Sequence, residues 1–185
     1  MTTLRDIELH EGLNAYTGGA VAASVKDIVG VQFRNMATVG GSIWGRFGFS
    51  DVLTVFQALD TYVELYKGGV IPLEQFAKMK KDRDILVRLI VRKTPCKVVY
   101  SAMRIQRTDF PVIACAVSYM NGQYRASIGA RPGRAMVLRG EQAEGFADFA
   151  AAHAPTEGNL RGSAAYRTHL IRVLVERALN ELGGM

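Results

Sequence analysis

The chain is poor in the residues that usually betray catalysis. Its 185 residues include only two cysteines, Cys96 in "TPCKVVY" and Cys115 in "VIACAV". Two widely spaced thiols in apolar surroundings exclude a disulfide framework and the cysteine pattern of an iron–sulfur cluster; they read as buried free thiols. The three histidines, His10, His153 and His169, lie far apart without ligand spacing, so no metal site is expected. There is no run of about 18 apolar residues, which excludes a membrane-spanning helix. The opening "MTTLRDIELHEG" has no apolar core of the kind a signal peptide needs. A cytoplasmic location and no membrane partner are the resulting expectations. Low-complexity linkers and internal repeats are also missing.

Charge is present but not clustered. The net charge is +6, and it sits in the second half: residues 93–185 carry 12 Lys/Arg against 7 Asp/Glu, whereas residues 1–92 carry 11 against 10. The arginines are spread singly and no nucleic-acid-binding motif accompanies them, so no nucleic-acid partner is expected. A basic face that meets an acidic protein or an anionic cofactor accounts for the same charge. With 49% hydrophobic and 22% charged residues, the chain has the composition of a globular protein with a sizeable core.

Local patterns predict an α+β protein. In "LRDIELHEGLNAYTGG" the alternation of Ile7 and Leu9, with a turn at His10–Gly12, predicts a short β-hairpin. "AVAASVKDIVG" predicts a helix stopped by Gly30, and "SDVLTVFQALDTYVELY" a helix capped by Ser50 or Asp51 that runs into a strand at Tyr62. "GGVIPLEQFAKMKKDRD" reads as a turn, a short helix and a basic loop, "ILVRLIV" as a buried strand, and "PCKVVYSAMRIQR" as another strand. Asn121–Gly122 between two apolar runs is a strong hairpin signal. A short helix follows over Ala147–Ala152. The ending predicts a long amphipathic helix capped by Ser163, packing Tyr166, Leu170, Leu174 and Ala178, and stopping at Gly183–Gly184. "RKTP" breaks the pattern near Arg92–Pro95, which divides the chain into 1–92 and 93–185.

The stretch that stands apart is "QFRNMATVGGSIWGRFGFSD", Gln32 to Asp51, where two β-prone runs flank Gly40–Gly41. Paired glycines inside such a pattern mark a bend or a close backbone approach by something else. Consecutive main-chain N–H groups without side chains suit an anion such as a pyrophosphate. Thr38 and Ser42 add hydroxyls, and Asp51 can accept hydrogen bonds from sugar hydroxyls or act as a helix N-cap. Trp44, a single aromatic beside glycines, reads as packing.

This block, "QFRNMATVGGSI" followed by the Ser50–Asp51 helix start, resembles the flavoprotein (medium) subunit of the molybdenum hydroxylases, the family of xanthine dehydrogenase and carbon monoxide dehydrogenase. "GGVIPLEQF", "DILVRLIV" and "RGSAAYRTHLIRVLVERAL" extend the resemblance from about residue 3 to the end. It implies a partial FAD-binding domain followed by an antiparallel three-stranded sheet with C-terminal helices. It also implies that Gly40 and Gly41 face the FAD pyrophosphate and Asp51 a cofactor hydroxyl. Leu86 and Arg104 would lie toward the flavin, and Ile28 against its ring. On residue type alone, Leu86 and Ile28 read as core and Arg104 as a surface arginine.

By the same resemblance, the chain would be an oxidoreductase subunit. It would pass electrons from the iron–sulfur clusters of a small subunit, fed by a molybdenum-cofactor large subunit, through FAD to NAD or another acceptor. No side chain would act as a catalytic acid, base or nucleophile. The family's upstream phosphate loop, a Gly-Gly-Thr-Asp-like element, has no counterpart here; Gly18–Gly19 is followed by Ala–Val. Half of the cofactor enclosure is therefore expected to be absent from this chain, with FAD not necessarily retained. The chain would be a fragment, a split subunit or a degenerate homologue. The alternative function is a structural or interaction subunit without flavin, and exposed edges would favour a homodimer.

Overall fold

In the computed structural model, which describes residues 1–184, the chain opens with helices where alternation predicts a hairpin. The Thr3 hydroxyl accepts from the Asp6 N–H at 3.0 Å and the Asp6 carboxylate accepts from the Thr3 N–H at 2.7 Å. This reciprocal cap starts α1 (Leu4–Leu9), and His10 Nδ1, accepting from the Leu13 N–H at 3.1 Å, starts α2 (Glu11–Tyr16). Each helix has six residues, too few for helical periodicity to outweigh a two-residue alternation. The buried pair is Leu4 and Ile7, one turn apart.

α3 (Ala20–Val25) forms as predicted and buries Val21 and Val25, but it ends before Ile28. Gly30 does not stop it; that glycine is the N-cap of α4 (Val31–Met36). The β-prone runs around Gly40–Gly41 are also helical, as α4 and α5 (Val39–Gly45). α6 (Asp51–Gln57) is capped by Ser50 and buries all of its residues, because it lies between two layers. It leads into β1 (Thr61–Leu65), whose alternate burial follows the sequence pattern.

β2 (Gly69–Pro72) is a strand where a turn is predicted, and α7 (Leu73–Lys78) follows it. β3 (Leu86–Val91), predicted as a buried strand, is an edge of the sheet β2-β1-β3 with Val87 and Arg88 exposed. An edge strand has only one neighbour to cover it, which its apolar composition does not reveal.

The second sheet has four antiparallel strands rather than three: β4 (Cys96–Met103), β5 (Ile113–Met120), β6 (Gln123–Gly129) and β7 (Met136–Gly140). β7 escapes the pattern because Val137 is its one fully buried side chain. The β5–β6 turn holds Asn121 at φ +53° and Gly122 at φ +77°, the left-handed geometry an Asn–Gly hairpin requires.

α8 (Phe146–His153) and α9 (Ala164–Gly184) cover one face of this sheet, and α6 covers the other. There the Ser118 hydroxyl donates to the Ala58 carbonyl at 2.5 Å. Leu170, Leu174 and Ala178 of α9 are buried as predicted. Tyr166 is not on that face, where Arg167 takes the buried place, and α9 runs through Gly183–Gly184. Cys96 and Cys115 are free, and burial pushes the Cys115 thiol up to about 12.

Candidate functional site

The site is built around the first turn of α5. Thr38 is its N-cap: the hydroxyl accepts from the Gly41 N–H at 3.0 Å and the Thr38 carbonyl from the Ser42 N–H at 3.1 Å. The Val39 N–H is taken by the Thr2 carbonyl at 3.0 Å. Among the described residues this leaves the Gly40 N–H without a protein acceptor. The bend predicted at Gly40–Gly41 is thus a helix start, with its positive dipole end and one free donor.

Neither glycine has a positive φ, so the backbone itself does not demand them. Their value is the missing side chain. A Cβ on Gly40 would meet only Leu86 Cδ2, at 3.7 Å, and one on Gly41 would press on Thr38 Oγ1 at 3.1 Å. The main chain here carries no side chain on the walls of two cavities.

Two cavities flank this turn. One, of about 800 Å³, is lined by Thr38, Gly40, Gly41, Trp44 and the β3 residues from Leu86. The other, of about 530 Å³, is strongly apolar and lies against Thr38, Gly41 and Ser42, with Ile28, Asp51 and Arg104 further in. Thr38 and Gly41 belong to both walls, so the turn lies where the two cavities meet. Both volumes fall in the ~300–1,000 Å³ range of small-molecule sites. All eight residues singled out in the sequence line one cavity or the other.

Several of them do work that sequence alone does not show. The hydroxyls of Thr38 and Ser42 are used inside α5, the second donating to the Thr38 carbonyl at 3.1 Å. Asp51 is 4% exposed, and its Oδ1 accepts from Arg104 Nη2 at 2.8 Å and from the Tyr100 hydroxyl. Burial pushes the Asp51 carboxyl up, with Arg104 and Tyr100 opposing that shift. Tyr100 is driven well above its usual range by its own burial and then by Asp51. Arg104 is therefore a mostly buried counter-ion, its side chain 10% exposed, and its Nη1 donates to the Asp109 carbonyl at 2.6 Å.

Trp44 packs at 5.8 Å from the Phe76 ring, as packing alone predicts. Sequence reasoning missed Tyr100 and the ring wall of Phe33, Phe47, Phe49 and Phe110. Tyr100 lies on β4 and Arg104 just past its end, and the two meet only at Asp51, so no strand pattern pairs them. The four phenylalanines come from three separate segments, which no local pattern unites.

Residues 1–93 match the model of a family described as the FAD binding domain in molybdopterin dehydrogenase. The chain belongs to that family. The likeness extends past the FAD-binding match: CO dehydrogenase from Oligotropha carboxidovorans superposes with a TM-score of 0.84 at 19% identity, over 98% of this chain and 73% of that one. Quinoline 2-oxidoreductase from Pseudomonas putida 86 gives 0.83 at 15%, over 98% and 72%. Carbon monoxide dehydrogenase from Hydrogenophaga pseudoflava, in a form lacking the Mo-pyranopterin moiety of the molybdenum cofactor, gives 0.82 at 22%, over 100% and 73%. These three share the α+β fold. Comparison with curated proteins returns no match.

The chain's residues fit the FAD that this family implies. A bare helix turn with a free N–H, between a long cleft and an apolar chamber, suits a ligand with a charged bridge and a flat apolar ring.

Proposed function

We propose that this chain is the FAD-binding, electron-transferring subunit of a molybdenum-hydroxylase-type oxidoreductase. The observation that carries the reading is the side-chain-free first turn of α5 at the junction of the two cavities. Gly40 and Gly41 would hold the pyrophosphate, with Thr38 and Ser42 shaping the turn. Ile28, Arg104 and Asp51 would lie along the apolar chamber and Leu86 along the cleft. When bound, FAD supplies the redox chemistry between the iron–sulfur clusters of a small subunit and NAD or another acceptor.

The protein's part is binding, orientation and exclusion of water. Asp51 and Arg104 form a fixed pair of opposite charges at the chamber wall, and the phenylalanine rings give the chamber an apolar lining for the flavin. A molybdenum-cofactor large subunit and an iron–sulfur small subunit are the proposed partners. Residues 1–92 would form the cofactor-binding part and residues 93–185 the docking part.

FAD titrated into the purified chain should quench with saturable, one-to-one stoichiometry, and protein that retains flavin should release FAD on denaturation. A colourless chain with no affinity for added FAD overturns the reading. That outcome would favour the second reading, a docking subunit without flavin, for which the internal engagement of the Thr38 and Ser42 hydroxyls and of Asp51 Oδ1 is the supporting observation. Phe33, Phe47 and Phe49 line the chamber and are exposed, so the isolated chain should self-associate. Light scattering should show a mass that rises with concentration; a strict monomer at all concentrations would exclude the homodimer.

A further inference from the structure

Next to the apolar chamber lies a smaller cavity of about 250 Å³, which the flavin reading does not use. It shares Phe49 and Phe110 with the chamber, and Pro111 and Pro132 complete its apolar wall. Its polar wall is Arg161 and Arg167.

Arg167 is 1% exposed. Its guanidinium donates to the carbonyls of Val112 at 2.9 Å, Glu157 at 2.6 Å and Gly162 at 2.7 Å, and to Asn159 Oδ1 at 2.6 Å. Every one of these acceptors is neutral, and among the described residues no carboxylate pairs with Arg167. A buried charge without a counter-ion is costly, even when hydrogen-bonded. Burial, reinforced by neighbouring Arg161, holds the Arg167 guanidinium below its usual range.

Arg161 is bound on one side only. Its Nη2 donates to Asp109 Oδ1 at 3.2 Å, and the guanidinium lies 5.1 Å from the centre of the Phe110 ring. Its Nε is buried with no hydrogen-bond partner. Orphaned buried donors are rare in folded proteins and mark a missing acceptor. Two cations therefore line one cavity, and the carboxylate paired with Arg161, that of Asp109, is already engaged with it and with the Phe110 N–H at 2.7 Å.

The geometry points to a second anion subsite here, in which Arg161 and the fixed charge of Arg167 take a phosphate-type oxyanion carried by a small molecule. Arg167 is anchored by four bonds and supplies position-independent charge. Arg161, bonded only through Nη2 and with a half-exposed side chain, supplies the directed hydrogen bonds from the rest of its guanidinium. Because Phe49 and Phe110 form the partition with the chamber, the oxyanion sits one ring away from the proposed flavin. The subsite does not depend on flavin being retained, since none of its polar groups touches the α5 turn.

The test is calorimetry with inorganic pyrophosphate on the full chain, with and without saturating FAD. Wild type should bind one equivalent in a salt-sensitive manner with FAD saturating, and at least one without it. Arg161→Gln should weaken that binding about tenfold or more, and Arg161→Lys less, while circular dichroism and melting stay like wild type. Gly41→Val should leave pyrophosphate binding at this subsite unchanged. The proposal fails if pyrophosphate does not bind, if Arg161→Gln binds as wild type does, or if FAD or Gly41→Val abolishes binding, which would move the anion to the dinucleotide turn. NADH distinguishes the source. Parallel weakening of NADH binding in Arg161→Gln identifies a nucleotide-borne phosphate; unchanged or absent NADH binding, with pyrophosphate weakened, identifies a free phosphate-type ligand.

Discussion

Gly40 occupies the second position of a helix, where glycine is intrinsically unfavourable and alanine would be better by about 0.5–1 kcal/mol. An added methyl there meets nothing closer than 3.7 Å. Gly40→Ala should therefore melt at the same temperature as wild type or slightly higher, while FAD affinity falls about tenfold or more because the methyl occupies the approach to the free N–H. Unchanged FAD affinity in that variant would detach the cofactor from this turn. The Asp51–Arg104–Tyr100 cluster is the opposite case, since its groups are engaged with one another inside the fold. Asp51→Ala would strand a buried guanidinium and a buried phenol, at about 3–5 kcal/mol. Adding Arg104→Met should recover part of that loss, so that the double variant is less destabilised than the sum of the singles in urea unfolding. That Asp51 and Arg104 are partners was not legible in the sequence. They are 53 positions apart, and only the folded chain brings the residue after β4 to the first residue of α6.

Short helices carry the cofactor half, and one ion pair ties two of them together. Arg34 of α4, 5% exposed, donates through Nε to Glu8 of α1 at 2.8 Å, and Arg5 adds a contact at 3.0 Å. Burial pushes the Glu8 carboxyl up, but Arg34 and Arg5 outweigh it, and the net shift is below the usual 4.5. A carboxyl with a lowered folded-state pKa contributes stability that is present above 4.5 and is lost as pH falls through the folded value. Asp51, raised by burial, runs the other way: its contribution is present at low pH and declines as pH rises through its folded value. Glu8→Gln should lower the urea midpoint at pH 7 and narrow the gap from wild type as pH drops below about 4.5. A gap independent of pH would show that Glu8 acts by packing alone. Local signals served well where a device is confined to a few residues, as in the Asn121–Gly122 turn or the Ser163 cap of α9. They failed for α1 and α2, whose caps are equally local but whose bodies are too short for a period to emerge.

In the molecule as a whole, the four-stranded sheet is a shared wall, with α6 on one face and α8 and α9 on the other. Two apolar clusters form, and the first draws Val98, Ala116 and Ala135 from beyond residue 93. The chamber also joins the two parts, because Arg104 and Phe110 come from one and Ile28 and Asp51 from the other. A ligand that binds there stabilises both. Saturating FAD should accordingly raise a single melting transition, by about 2.7 kcal/mol at a hundredfold excess over the dissociation constant. Two transitions with only the first shifted would show that the parts unfold independently.

Composition and order of residues by themselves determined the α+β class, the long C-terminal helix, the Asn–Gly hairpin and the glycine-marked turn. These depend on interactions among neighbours in the chain, which a linear pattern records. Tertiary structure alone decided that the glycines start a helix, that two cavities meet there, that Arg104 serves Asp51, and that Arg161 and Arg167 face a common hollow. Each of those depends on distant segments sharing one environment, and burial and dielectric are properties of the folded surroundings rather than of the residue.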